Sequence, residues 1–314
     1  MMWAIFPILS QVFYVSSSYI QNYLVDTALP KRKPGALIIT HLPGMILGIL
    51  ILFAIFGRMV FFLPIQNALG LIAAGAVNVI GSVFYYRTLQ IGDTADINII
   101  GQLSPLISLA LGILVLGEVI TPGQGIGFAI IMLAILVILF GGGKKQRHKI
   151  DYRVIVLAFC SMFFSISSDI IFAYFVKGFT TDIALFARSF FFFELGSALM
   201  ITVVMICFGS WRHAVRMTFF AGKHHRKNFL ASIVDNLSFL FAEFIYKYGL
   251  LIVPVIAMMT VVGKVTGLFV SLFYTIFVGK IFPKFIHGKR LTRRLIVQYV
   301  IAAVLIITGI VIMT

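Results

Sequence analysis

Apolar residues run in blocks of about twenty along this chain, and polar residues gather in the short gaps between the blocks. About 20 helical residues at 1.5 Å rise cross the ~30 Å hydrocarbon core of a bilayer, so each block has the length of a membrane helix. The blocks fall at 3–24, 36–56, 67–87, 94–115, 122–141, 152–175, 183–208, 228–249, 252–279 and 293–313. The pattern predicts an all-α integral membrane protein with ten transmembrane helices. Asp235 and Glu243 interrupt the eighth block. The ninth is the longest, and a tilt or a short interfacial piece around Pro283 would accommodate it.

Composition narrows the class. The chain is 61% hydrophobic and 11% charged, against about 25% charged in soluble domains. A net charge of +15 could suggest a nucleic-acid partner. The basic residues instead form short clusters between apolar spans, as cytoplasmic loops of membrane proteins do, and no nucleic-acid contact is expected. The runs at 144–153 and 223–227 suit anionic lipid headgroups. Cys160 and Cys207 each sit inside an apolar run and are expected as small core residues. Met1 to Ile5 lacks a basic region and a small-residue cleavage site, so the first block reads as a retained helix.

The blocks divide five and five. The basic linker 144–151 separates residues 1–143 from 152–314, and similar segments recur in the two parts. Phe84-Tyr85-Tyr86-Arg87 ends the third block, and Phe244-Ile245-Tyr246-Lys247 ends the eighth. Leu116 to Thr121 joins blocks four and five, and His287 to Thr292 joins nine and ten. Five crossings is an odd number, so the second half enters the membrane from the opposite face. The fold expected is two inverted five-helix repeats, an arrangement found in secondary transporters with the substrate site at the repeat interface.

One stretch carries a more specific likeness. Ser104-Pro105, an apolar helix, Leu116-Gly117-Glu118, then Thr121, Gln124 and Gly127 follow one another in that order. This series resembles the end of an EamA domain, the repeat unit of the drug/metabolite transporter superfamily. The resemblance implies the inverted ten-helix fold and transport rather than an enzyme activity. Residues 70–140 carry it best; the second half departs, with Lys280 or Lys289 where the family usually has an acid, and Gln298 where the first half has Gly127. Arg188 sits where the family pattern often has an arginine. Glu118 is expected to cap the helix that follows it, since a carboxylate is favoured at a helix N-terminus.

Ionisable residues at bilayer depth cost several kcal/mol and ask for a function or a partner. Lys264 lies well inside the ninth block, with Thr260, Gly267 and Ser271 on one helical stripe. Gln102 stands in the equivalent place of the first half, each lying sixteen residues before Glu118 or Lys280. Asn98, Gln102 and Pro105 share a face of the fourth helix, and Asn78, Ser82 and Tyr85 share one on the third. Ser161, Ser165 and Ser168 form a stripe on the sixth with Asp169 beside it; Asp235, Ser238 and Tyr246 share a face of the eighth with Asn236 and Glu243 adjacent. Tyr14, Ser18, Gln21 and Asn22 give the first helix a similar side. Serines and Asn78 at such positions also serve as interhelical glue, and the pairs Gly44/Gly48, Gly123/Gly127 and Gly263/Gly267 have the spacing of close helix contacts.

The reading is a secondary transporter of a small organic metabolite, multi-pass in the plasma (inner) membrane. Its halves would rock about a cavity walled by helices three, four, eight and nine, with one and six contributing. Lys264 would bind an anionic group of the solute, with Gln102, Asn98, Asn78, Tyr85 and Thr260 fixing its orientation. Asp235, Glu243 and Asp169 are the proton-coupling candidates: without a basic partner Asp235 or Glu243 could exchange a proton, and paired with Lys264 either would stay charged until an anionic solute competes. No cofactor, metal site or catalytic constellation is expected. The alternatives are a lipid or lipid-phosphate flippase on the same fold, and a membrane-embedded enzyme acting on a lipid-linked substrate.

Charge also predicts orientation. Of the 25 Lys and Arg, 20 lie in odd-numbered loops; Arg58, Lys177, Arg188 and Lys247 are assigned to the even-numbered loops and their edges. Such a bias places the odd loops in the cytoplasm and both termini outside, the reverse of the superfamily's usual arrangement. A reporter fused after Thr314 is therefore expected outside the cytoplasm and one inserted in the 144–149 linker inside. Cytoplasmic activity of the C-terminal fusion rejects this orientation.

Overall fold

The computed structural model describes residues 2–29, 35–91, 100–140, 151–177, 182–221, 224–274 and 293–313, and all regular structure among them is helical. The main helices are α1 Ile5–Tyr23, α2 Ala36–Phe61, α3 Ile65–Ile91, α4 Ser104–Leu116, α5 Pro122–Phe140, α6 Tyr152–Val176, α7 Ile183–Cys207, α8 His225–Ile252, α9 Ile256–Phe273 and α10 Arg293–Met313. α2 is composite, a short turn Ala36–Thr40 running into Leu42–Phe56 and a tighter turn Gly57–Phe61. A helix lies in every block read from the sequence. Six of them, α2, α3, α6, α7, α8 and α9, are long and apolar enough to cross a membrane. α4 and α5, and Val300–Ile312 within α10, count as shorter apolar helices. α1 has the length but carries Ser10, Gln11, Ser16, Ser17, Ser18, Gln21 and Asn22.

Local chemistry fixes the helix ends. Asp151 accepts from Arg153 N at 2.9 Å and starts α6; Asp182 accepts from Ala184 N at 2.8 Å and starts α7. Thr121 and Gln124 cap α5 reciprocally, Thr121 N to Gln124 Oε1 at 3.0 Å and Gln124 N to Thr121 Oγ1 at 3.3 Å. Gly117 closes α4 in the left-handed region, at φ 64°.

Small residues let the helices approach. α3 lies against both α6 and α7: Ser168 Oγ donates to Ala74 O at 2.8 Å and Ser197 Oγ to Gly75 O at 3.2 Å. A Cβ on Gly75 would run into Phe193 O, and one on Gly196 into Ile72 O. Gly44 and Gly48 bring α2 onto Asn236 and Leu240 of α8, Gly263 and Gly267 bring α9 onto Gln11 of α1, and Gly309 sets α10 against Gly127 O and Ile131 of α5. The expected glycine pairs thus mark helix contacts. Further packing joins α1 to α8 and α9, α6 to α4, α2 to α7, and α4 to α9.

Large apolar side chains face outward as well as inward. Ile65, Leu69, Leu114, Ile206, Val304 and Ile307 are exposed, the surface a lipid-facing helix presents. Cys160 is half-buried and Cys207 exposed at the end of α7, which corrects the expectation that both belong to the core.

The α3–α7 contact predicts a stability difference. Gly196→Val should cost about 1–3 kcal/mol by overpacking. Gly125→Ala should leave stability unchanged or slightly raised, because its Cβ meets only Ile120 Cγ2 at 3.9 Å. Thermal unfolding of the purified variants in detergent distinguishes the two.

Candidate functional site

The eighth helix collects the buried charge. Asp235, Glu243 and Lys247 recur at helical spacing along it, with Asp235 and Glu243 about 12 Å apart along the axis. All three are buried, Asp235 and Lys247 completely. They seed two polar clusters.

The first centres on Lys247. Its Nζ donates to Asp169 Oδ1 of α6 at 2.6 Å and lies 3.6 Å from Glu243 Oε1 one turn back. The ammonium also sits 4.3 Å from the ring centre of Phe193 and 5.1 Å from that of Phe172. Two phenols complete the carboxylates' partners. Tyr14 of α1 donates to Glu243 Oε2, and Tyr246 donates to Asp169 Oδ2 at 3.4 Å. Glu194 of α7 is 2% exposed and lies in the fields of Glu243 and Lys247, and its Oε2 has no hydrogen-bond partner among the described residues. Phe172, Phe186, Phe190, Phe193 and Phe244 interlock edge to face beside the cluster, which leaves the Lys247 side chain fully buried and that of Asp169 18% exposed.

The second cluster surrounds Asp235. Its Oδ1 accepts from Ser17 Oγ at 2.5 Å and Gln21 Nε2 at 3.2 Å, both on α1. His41 Nε2 of α2 lies 3.7 Å from Oδ2. Tyr86 of α3 donates to Gln21 Oε1 at 3.2 Å. Asn236 Nδ2 donates to Thr40 O at 2.8 Å and ties α8 to the start of α2. A cavity of about 40 Å³ adjoins this cluster, with His41, Asn78, Ser82, Tyr86 and Phe239 on its walls.

A third polar contact sits at the helix ends. Glu118 Oε1 accepts from Lys177 Nζ at 2.5 Å, and its two oxygens lie 3.1 and 3.2 Å from Ile256 N. Lys177 also reaches Pro254 O at 3.3 Å. Glu118 therefore caps α9 rather than α5, whose cap is the Thr121–Gln124 pair. The carboxylate thus sits at the N-terminus of α9, beside Lys177 at the end of α6. A cleft of about 370 Å³ opens beside it, between Val115, Leu116, Tyr174, Lys177 and Pro254.

The residues singled out from sequence are distributed over these sites. Asp169 and Glu243 meet in the Lys247 cluster, while Asp235 belongs to the other. Asn78 lines the small cavity; Tyr85 is half-buried and packs edge-on to Tyr86, which makes the polar contact instead. Thr260 Oγ1 donates to Ser108 Oγ at 3.1 Å and links α9 to α4. Gln102 is 7% exposed with Oε1 unpartnered among the described residues. Asn98 lies outside the described residues, as do Lys280 and Lys289. Lys264 is half-buried on α9 and makes no hydrogen bond or ion pair with a described residue; the charge acting on it is that of Asp169. Its expected pairing with Asp235 or Glu243 does not occur: the cation beside Glu243 is Lys247, and the group beside Asp235 is His41. Arg188 is half-buried and donates to Phe62 O at 3.4 Å.

Four participants had escaped sequence reasoning. Lys247 resembles an interfacial loop residue in the pattern Phe-Ile-Tyr-Lys, yet it is fully buried. Its spacing from Glu243 was the available signal. Glu194 stands alone among phenylalanines in an apolar span, which marks it by cost. His41 lay too near a block's start to attract notice. Ser17, not Ser18, faces Asp235.

Comparison with known proteins agrees with this architecture. The family model of the EamA-like transporter family matches residues 1–140, so the likeness seen at Ser104 to Gly127 extends through the first half of the chain. That match indicates a membrane transporter type of function. A solved crystal structure superposes with a TM-score of 0.67 at 15% identity, covering 100% of this chain and 95% of that one, a likeness of fold. No curated protein matches the sequence.

The Lys247 cluster predicts unequal costs for its two lysines. Lys247→Met strands Asp169 and Glu243 without their cation and should destabilise by about 3–5 kcal/mol. Adding Glu243→Gln should recover part of the loss. Lys264→Met, which breaks no ion pair among the described residues, should cost far less. Equal melting temperatures for the two single variants would remove Lys247 from its central place.

Proposed function

We propose that this chain is a secondary transporter that moves a small organic solute across the plasma (inner) membrane by alternating access. Two inverted five-helix repeats, 1–143 and 152–314 joined by the 144–151 linker, would supply the moving halves. The observation that carries the reading is the buried ionic network, to which both halves contribute: Tyr14 from the first, and Asp169, Glu243 and Lys247 from the second. An ionic network at bilayer depth is costly as mere glue and is the usual mark of a substrate or ion path.

The pattern of helix contacts supports the repeat. α1 packs on α8 and α9 as α6 packs on α3 and α4, and α2 meets α8 as α7 meets α3. α2 with α7, α4 with α9 and α5 with α10 close the exchange. Shifting every number by five maps these contacts onto one another, as a two-fold relation between halves requires.

In this reading Lys264 receives an anionic group of the solute as it enters between the halves. Gln102, Asn98, Asn78, Tyr85 and Thr260 orient it, and Asp235, Glu243 and Asp169 supply the coupling charges. The cleft beside Glu118 and Lys177 favours a second reading. Its apolar walls next to a half-buried ion pair would suit a lipid phosphate, which makes a flippase on the same fold the alternative.

A stability screen of purified protein with amino acids, nucleosides, sugar phosphates and polyprenyl phosphates separates the two. Stabilisation by a soluble compound supports the solute; stabilisation by polyprenyl phosphate alone supports the lipid. The stabilising compound is then used for flux into liposomes with and without a pH gradient. Lys264→Met should weaken an anionic solute at least tenfold, the value of a charge-assisted hydrogen bond. Flux indifferent to the gradient in wild type, Asp235→Asn and Glu243→Gln removes proton coupling through these residues.

A further inference from the structure

The Lys247 cluster does not balance its charge. Three carboxylates, Asp169, Glu194 and Glu243, share it, and the positive groups at hand are Lys247 and, through its field on Asp169, Lys264. One negative charge is left over in a site walled by phenylalanines, where an uncompensated carboxylate is costly. The hydrogen bonds say which carboxylate is the odd one. Asp169 has the Lys247 ammonium and the Tyr246 phenol. Glu243 has the Tyr14 phenol and lies 3.6 Å from the same ammonium. Glu194 has neither a phenol nor an ion pair among the described residues, and its Oε2 is buried with no partner.

We propose that Glu194 holds a proton in this conformation and is the group through which one positive charge enters and leaves the buried network. Protonated, it is neutral, and the remaining charges of Asp169 and Glu243 are matched by Lys247 and Lys264. When the proton leaves, the site carries one net negative charge that only water or another cation can offset, so deprotonation favours a conformation in which the network is open. α3 meets α7 through Ile72 and Gly75, and the charges acting on Glu194 come from α8, those of Glu243 and Lys247, with Tyr14, Asp169 and Tyr246 one contact further out. As a coupling group Glu194 rests on the transport reading; as a proton site it does not.

The test is infrared difference spectroscopy on the full-length protein in lipid bilayers, titrated through neutral pH. The readout is the C=O stretch of a protonated carboxylic acid. Wild type should show this band at neutral pH, and Asp235→Asn, in the other cluster, should keep it. Glu194→Gln, with helix content checked by circular dichroism, should lose the band. Glu194→Asp should show it displaced, which keeps the proposal testable if the glutamine variant does not fold. No band in wild type, or an unmoved band in either Glu194 variant, overturns it. The spectrum needs no transported solute, so a failure of the transport reading leaves this result standing, and a failure here leaves flux measurable.

Discussion

A lysine ammonium that water does not reach must keep its counter-charges beside it. Moving such an ion from water into a low-dielectric interior costs several kcal/mol even after relaxation. Lys247 is in that position, fully buried, with the rings of Phe172 and Phe193 on one side and the carboxylates of Asp169 and Glu243 on the other. Much else in the molecule is arranged to meet that demand. α6 must come close enough to α8 for Asp169 to reach across, α1 must present Tyr14 to Glu243, and the aromatic side chains of α6 and α7 must pack without a gap.

Close packing of the surrounding helices makes this possible. Glycines and serines on α3, α6 and α7 let backbone meet backbone, so α6 is held at the right depth by contacts that involve no charge. On the other side α1 reaches over to α8 and gives it the partners of two separate acids, Tyr14 for Glu243 and Ser17 with Gln21 for Asp235. At the helix ends Glu118 ties the α4–α5 turn to Lys177 and to the first turn of α9. The charges therefore sit where helices of the first part meet helices of the second. A relative movement of those parts must remake these contacts, and that joins packing to the proposed transport cycle.

The helices were legible in the sequence because bilayer-length apolar blocks leave few alternatives, and the glycine pairs pointed to contacts that the structure contains. Asp169, Asp235, Glu243 and Lys264 were legible as charges out of place. Their partners were not. A helix's periodicity tells which residues share its face but not which face of another helix it meets, so Lys264 was matched to acids that Lys247 and His41 accompany instead. Lys247 itself was hidden by position: five residues from the end of α8, it looked like a residue at the edge of a span, as Arg87, which is exposed, is in the matching segment. α8 runs three residues further at each end than the apolar block, His225–Ile252, so Lys247 lies more than a turn inside the helix end. Glu118 shows the same limit, since a cap for a helix distant in sequence cannot be read from its neighbours.

The central claim is that two rigid halves alternate about the α8 network, and distances at the two membrane faces test it most directly. With Cys160 and Cys207 replaced, spin-label pairs would be placed at Val119 and Ile183 near one end of the helices, and at Ile91 and Phe220 near the other, all exposed positions. Pulsed electron resonance in lipid bilayers should give two distance populations for each pair. On changing pH, the populations should shift in opposite senses, one end opening as the other closes. A single distance at each end, unmoved by pH and by the stabilising compound, would contradict the account.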